Sequence, residues 1–430
     1  MTPFSKLDIL NPKRESEIQT DRASWYPYYA GFSVRFAERL IASAKMELAS
    51  AVSDPWNGSG TTTAAAAGLG HDAYGFDLNP VMVLAARARM LSKREKNSLV
   101  PIGATIVKGT VDILVDESEP LTTWFVPQSA GSLRALERAI QRVLVSADSS
   151  FSLLNDERIQ QISDLAAFFY VALFRTTRRL LRRFETSNPT WIKKPMSLRA
   201  RLRPNPADVR TAFQEHVKIM ADAIECDPLT KDSKVKISIG SSDKIPLPEE
   251  SVDFVLSSPP YCTRIDYAVS TRAELAVLGF RLESEFADLR RKLIGTSTVP
   301  QVAPTASKNW GKSCNAFLER LEAHKSKASA SYYLKNHLQY FDSIYQSLGE
   351  IARTLKKDGT CVLVVQDSYY KDVHNDLPRM IVEMSANHNM TLRRQDLFRH
   401  HRTMAGVNPD VHKYRVKVDA VESVLCFSRS

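Results

Sequence analysis

The period of the apolar positions changes several times along the chain. Phe32, Phe36, Leu40 and Ile41 recur at helical spacing. Ala49 to Ser53 is a short apolar run that predicts a strand, and Thr61 to Gly68, built of small residues, suits a helix. Ala73 to Phe76 and Val81 to Leu91 predict a second strand and a second helix. This alternation predicts a parallel α/β sheet. The pattern then lengthens. Leu133 to Val145 and Ile162 to Leu181 are amphipathic helical stretches, and strand signal is scarce after residue 113. Sheet character returns at Val235 to Ile239 and Val252 to Leu256. A helix from Tyr333 to Leu355 leads, through the turn at Lys357-Asp358-Gly359, into the apolar run Cys361 to Val365. Val421 to Phe427 is the last predicted strand.

The expected organisation is a sheet interrupted twice. Residues 1–95 hold a polar arm and the first half of the sheet, 96–232 a mainly helical insertion, and 233–430 the second half. Within the last, 283–330 is charged and irregular and reads as a second insertion. The chain's 430 residues agree with two or three such units. Five scattered cysteines form no CxxC pair and no metal-ligand spacing, so neither a disulfide framework nor a zinc site is expected, and a reducing cytoplasm fits. The stretch Met1 to Tyr28 shows no apolar signal-peptide core, and no membrane-spanning run is seen.

Chemistry first shows at Asp54-Pro55-Trp56-Asn57-Gly58-Ser59-Gly60-Thr61-Thr62, a turn between a predicted strand and a predicted helix. Glycines at 58 and 60 permit a close ligand approach that a Cβ would block. No Gly-Lys-Ser/Thr follows, which excludes a phosphate loop. Taken alone, the turn could be only a tight turn. Tyr74-Gly75-Phe76-Asp77-Leu78-Asn79-Pro80 then puts a carboxylate at the end of the next strand. A carboxylate there can accept both hydroxyls of a ribose, or it can cap a helix.

Further along stands Ser258-Pro259-Pro260-Tyr261, just beyond the strand at 252–256, a loop that resembles the catalytic motif of enzymes that methylate exocyclic base amines. An exocyclic base amine is a poor nucleophile because its lone pair is delocalised into the ring. Methyl transfer needs that nitrogen to become tetrahedral, and acceptors aimed at its hydrogens favour the change. Ser258 Oγ and the Pro259 carbonyl are such acceptors. Two prolines stiffen the loop, and Tyr261 offers a face on which a flipped base can stack. Pro-Pro-Tyr in isolation could equally be a rigid surface turn.

Together these stretches resemble the motifs of amino-group DNA methyltransferases. The resemblance covers roughly 25–92, 235–280 and, more weakly, 345–430. It implies a Rossmann-like class I methyltransferase sheet and S-adenosylmethionine as cofactor. The implied cofactor set is Asp54, Pro55, Asn57, Gly58, Ser59, Gly60, Thr61, Asp77, Leu78, Asn79 and Asp243, with Asp54 and the Gly58–Gly60 loop at the methionine part, Asp77 at the ribose and Asp243 at the adenine. Ser258, Pro259, Pro260 and Tyr261 are the implied catalytic residues. Because the sulfonium is already a strong electrophile, no metal is implied. Serine in the first position tends to mark cytosine-N4 enzymes in this family, and aspartate or asparagine adenine-N6 enzymes. N4 of cytosine in DNA is thus the expected target. Adenine N6 is the alternative, followed by guanine N2 in RNA; a binding protein without catalysis is the rival from another class. DNA is the expected partner, with nucleoid association and a restriction or defence-system partner as corollaries.

The net charge of +10 agrees with an acidic partner. The richest basic stretch runs from Arg175 to Arg203, with Glu185 as its one acid and Phe184 and Trp191 interleaved. Arg178, Arg179, Arg182 and Arg183 share helical spacing, and Lys193 and Lys194 follow. These six are the expected phosphate contacts, against the plainer reading of a solvated helix face. Arg393 to Arg402, with His400 and His401, is a second basic candidate. Arg264, Asp266 and Tyr267 are candidates to line a base pocket, against simple packing of the loop.

Overall fold

A computed structural model describes residues 4–13, 22–26, 31–146, 153–154, 156–186, 191–226, 233–262, 266–400 and 420–430. Arg264, His401 and Arg402 therefore lie outside the described residues. Nine strands are described: β1 (Ala51–Asp54), β2 (Asp72–Asp77), β3 (Val235–Ile239), β4 (Val252–Ser257), β5 (Leu355–Gln366), β6 (Ser368–Tyr370), β7 (Val373–Asn375), β8 (Met390–His400) and β9 (Ala420–Arg429). Seven form one sheet in the order β3-β2-β1-β4-β5-β9-β8, and β6 and β7 pair as a separate hairpin. The pairings from β3 across to β5 are parallel, while β9 runs antiparallel to both β5 and β8. This is the Rossmann-like α/β sheet that the resemblance implies.

The chain leaves β1 toward β2 and β3 and returns to β4 on β1's other side. The order therefore reverses between β1 and β4, and a crevice opens at the carboxyl ends of those two strands. Both faces of the sheet are covered. Val362, Val364, Val424 and Cys426 pack with Phe36, Leu40 and Ile41 of the helix Val34–Ser43. Their sequence neighbours Cys361, Leu363, Val365, Leu425 and Phe427 pack on the opposite side with Phe341, Ile344 and Leu348 of the helix Leu334–Thr354. The period of two is that of strands buried on both faces.

The insertion is helical, with Lys96–Lys108, Pro127–Leu144, Asp164–Leu181 and Pro206–Asp222 as its main helices. It shares one apolar core with the helix Pro80–Arg89 and with Leu275, Ala276 and Val277 beyond the Ser258–Tyr261 loop. Arg134 fastens the two parts together. It donates to the carbonyls of Val277 and Ala276 at 2.7 and 3.0 Å while Glu119 and Glu137 neutralise it. Among the described residues, no helix is long and apolar enough to cross a membrane.

Two expectations differ from what is found. Residues 283–330 include the helices Glu285–Lys292 and Lys312–Glu322. Trp310, Cys314, Phe317, Leu318 and Leu321 from this segment join the core on the sheet's second face, so its charged residues are the outer side of a packed layer. The basic stretch at Arg393 lies in β8, the edge strand. Arg394 pairs with Asp396 and donates to the carbonyls of Phe4 and Leu7, and Arg393 donates to Ser428 Oγ at 2.7 Å. Those charges close a sheet edge, a common use of charge there.

Candidate active site

Each element of the crevice is aimed by the end of a strand. Asp54 closes β1 and is buried. Its carboxylate accepts from Trp56 N at 3.1 Å and from the Ser257 hydroxyl at the end of β4. Asp77 closes β2 and accepts from Gly58 N at 3.0 Å and Asn79 N at 2.8 Å. The two strand ends are thus tied through the glycine turn. Burial raises the carboxyl of each aspartate to about 6, against the hydrogen bonds that favour ionisation. The Asp54 charge adds to the effect on Asp77.

The two glycines of the turn do different work. Gly58 has φ +48° and presents its N–H to Asp77. Gly60 has φ +82°, and a Cβ there would stand 2.7 Å from Ala86 Cβ. Gly60 therefore lets the helices Thr61–Gly68 and Pro80–Arg89 approach each other, and it does not line the cavity. Asn79 caps the second of these helices through Val81 N at 3.1 Å and donates to Thr271 Oγ1 at 2.9 Å.

The Ser258–Tyr261 loop leaves β4 on the other wall and is braced along its length. Tyr340 Oη donates to the Pro260 carbonyl at 2.7 Å, Ser368 Oγ to the Cys262 carbonyl at 3.1 Å, and Tyr261 N to Tyr267 Oη at 3.4 Å. Tyr261 Oη donates to Glu422 Oε1 of β9 at 2.9 Å. The tyrosine is thus fixed by its hydroxyl and by its backbone N–H.

One cavity is lined by Asp54, Pro55, Asn57, Gly58, Ser59, Thr61, Asp77, Leu78 and Asn79 together with Ser258, Pro259, Pro260 and Tyr261. Of the implied cofactor set, Gly60 and Asp243 fall outside it. Beyond β3 the wall is made by Gly240 and Ser242, while Asp243 is exposed one residue further on. Phe32, Tyr267, Thr271, Leu293 and Ile294 also line the cavity. Tyr267 is one of the three pocket candidates. Its neighbour Asp266 is instead a buried clamp, capping Val269 N and pairing with Arg290 at 2.6 Å. Leu293 and Ile294 follow the helix Glu285–Lys292 inside the segment read as an irregular insertion, and no local signal marks them.

No family model matches the chain, and no curated protein matches it. Among solved structures, a chain from a complex of the Haloferax volcanii Trm112 methyltransferase activator with a proposed methyltransferase aligns at 14% identity. The alignment covers 49% of this chain and 69% of that one, with a TM-score of 0.20. So loose a likeness carries no argument about activity.

The basic stretch of the insertion divides in two. Arg175 donates to the carbonyls of Ser24 and Trp25 at 2.8 and 2.9 Å. Arg178 is buried against the Glu274 carboxylate, reaches the Ser270 carbonyl at 2.6 Å, and lies 5.8 Å from the centre of the Tyr26 ring. Arg178 is thus an internal tie, which corrects its expected place on a phosphate-facing surface. Arg179 is exposed and pairs with Glu215. The helix ends at Leu181, so Arg182 and Arg183 continue into a 3-10 turn. Both are exposed, as are Lys193 and Lys194.

Proposed function

We propose that the chain transfers a methyl group from S-adenosylmethionine to an exocyclic amine of a nucleic-acid base, with N4 of cytosine in DNA as the substrate. One observation carries this reading: the Ser258-Pro259-Pro260-Tyr261 loop and the Asp54 and Asp77 turns line the same cavity, where the strand order reverses. A cofactor turn and an amine-accepting loop on separate surfaces would not support it.

The residues fit the cofactor. Two carboxylates stand in one site, and among the described residues neither is neutralised by an Arg or Lys. Such a pair suits a ligand that brings its own positive charge and hydroxyl donors. Asp77, held by two backbone N–H groups, would take the ribose hydroxyls. Asp54 and the Gly58–Ser59 backbone would hold the methionine part. When bound, the cofactor supplies a sulfonium methyl, an electrophile that needs no activation.

The chain's own work is to shape the amine. Ser258 Oγ and the Pro259 carbonyl would accept its two hydrogens and favour tetrahedral nitrogen. The Pro260 carbonyl is already engaged by Tyr340, which fixes the loop. The Tyr261 ring would carry the base on its face. Serine at the first position favours cytosine over adenine within the resembled family.

The test is labelled methyl transfer with purified protein onto DNA and onto RNA, followed by nucleoside analysis. N4-methylcytosine in DNA is the expected product. N6-methyladenine would change the base, and N2-methylguanine in RNA would change the substrate. Transfer to neither polymer would overturn the reading.

A further inference from the structure

The segment that follows the helix Asp164–Leu181 is used by no step above, and its position is fixed by a few contacts. The helix begins beside the far end of Pro80–Arg89, where Arg87 meets Asp164 at 3.3 Å. It ends beside the cavity: Arg178 bonds the Ser270 carbonyl, and the next residue, Thr271, lines the cavity and bonds Asn79 at the start of Pro80–Arg89. The two helices are antiparallel. Arg182 and Arg183, one turn beyond Arg178, therefore lie past the end of the helix that is nearer the cavity.

From Ile192 to Leu202 the chain is an arch pinned at both feet. At the first foot Ile192 is buried, Lys193 N donates to the Phe184 carbonyl at 2.9 Å, and Trp124 Nε1 donates to the Lys193 carbonyl at 3.0 Å. At the second, Arg201 pairs with Glu117 at 2.6 Å and Leu202 N donates to the Trp124 carbonyl at 2.8 Å. Trp124, itself fully buried, holds both feet. Between them, Met196 is 102% exposed and Leu198 67% exposed. Lys193, Lys194 and Arg199 are exposed around them and, among the described residues, hold no ion pair.

A single exposed apolar side chain needs no explanation. Two at the crown of an arch held at both ends, flanked by cations without an ion pair among the described residues, form a presented surface, and its first foot at Phe184 follows the end of the helix whose Arg178 reaches Ser270 beside the cavity. Its charge selects an acidic partner, since residues 193–200 carry Lys193, Lys194 and Arg199 and no acid. Cations that neutralise phosphates beside an apolar wedge that enters a base step are the two parts of a duplex-deforming contact. Unstacking a step also lowers the cost of extruding a neighbouring base.

We propose that residues 193–200 dock on duplex nucleic acid, with Lys193, Lys194 and Arg199 on phosphates and Met196 and Leu198 inserted at a base step near the nucleotide delivered to the cavity. The inference rests on the nucleic-acid reading above. The test uses the full chain with Met196→Ser/Leu198→Ser and Lys193→Ala/Lys194→Ala, each checked for an unchanged melting temperature and cofactor affinity. The substrates are a random-sequence duplex, a duplex with scattered mismatches, and the single strand. The apolar pair should lose about tenfold in transfer on the paired duplex and much less on mismatched or single-stranded DNA, where little unstacking remains to be done. The lysine pair should lower the log–log salt slope of duplex binding by roughly 1.8, at about 0.9 per contact, with no relief from mismatches. An apolar-pair loss equal on all three substrates overturns the wedge. An unchanged salt slope overturns the phosphate contacts. Binding to anionic vesicles but not to duplex, dependent on Met196 and Leu198, assigns the arch to a membrane and overturns it as a nucleic-acid contact. If wild-type protein methylates DNA and both variants match it, only the arch fails; if it methylates no nucleic acid, the functional reading fails and the arch falls with it.

Discussion

The crevice at the strand ends and the basic stretch of the helical insertion gather functional residue types in opposite ways. In the crevice the backbone decides direction. Asp54, Asp77 and Ser258 stand at or just past the last residues of β1, β2 and β4, and all three face one cavity. In the insertion, neighbours decide. Arg178 and Arg182 are four residues apart, yet one is buried on Glu274 and the other is exposed. Residue type at a strand end therefore says what a side chain does, because parallel strands point their ends the same way. Residue type on a helix says little until the opposing surface is known.

The sharpest way to break this comparison is to remove one arginine of each kind. Arg178→Ala leaves the fully buried Glu274 without its guanidinium, and loss of one partner of a buried pair costs about 3–5 kcal/mol. Arg182→Ala and Arg183→Ala should each stay within about 0.5 kcal/mol, as exposed substitutions do. Urea denaturation measures both. Comparable losses at 178 and 182 would erase the distinction between tie and surface.

In the crevice the corresponding substitution should spare the fold and remove the chemistry. Ser258→Ala is expected to lower single-turnover methyl transfer by about 10²–10³, the usual loss for one hydrogen bond that strengthens as charge develops. Cofactor affinity, assigned by the proposal to Asp54, Asp77 and the glycine turn, should hold. Wild-type transfer by Ser258→Ala would refute the amine-acceptor role. Tyr261→Phe is a smaller case. The sequence alone predicts a mild effect, since the ring face is kept. The bond to Glu422 changes that expectation to a loss of about 1–3 kcal/mol in loop stability, because a carboxylate loses a donor. It should appear as a raised KM for the base substrate and faster proteolysis near the loop.

Legibility in the sequence divides along the same line. The strands that carry the cavity were readable from apolar runs, and the cavity residues from the positions at the end of each run. Gly60 was legible as a glycine with a reason, but the reason lay in Ala86 across a helix–helix contact, and Asp243 was displaced from the wall by Ser242 one position earlier. Leu293 and Ile294 enter the cavity from a segment whose charge hid the packed faces of two short helices. β8 passed for a basic patch because Arg393 and Arg394 find their partners on β9, on Asp396 and at the carbonyls of Phe4 and Leu7. In most of these misses the deciding atom is distant in sequence, and local pattern carries no trace of it.

The gentlest test separates the two regions by pH. Burial raises Asp54 and Asp77 to about 6 from an ordinary 3.8. Between those values the folded chain keeps protons that the unfolded chain has released. The stability this confers is complete below about 3.8 and is lost as pH rises through about 6. Cofactor binding has the opposite demand, because ribose hydroxyls and a cationic ligand are held by carboxylates and not by carboxylic acids. Binding must then release protons below pH 6, and affinity should fall there by up to about tenfold per pH unit for each acid that has to ionise. The contacts proposed for the insertion rest on lysine and arginine, residue types that do not titrate in this range. Calorimetry from pH 5 to 8, in two buffers of different ionisation enthalpy, reads the released protons directly. Cofactor affinity should weaken toward pH 5 while duplex affinity stays level. A flat cofactor profile would mean that the two carboxylates do not hold the ligand. A duplex profile that tracked the cofactor's would mean that nucleic acid is gripped at the strand ends and not by the insertion.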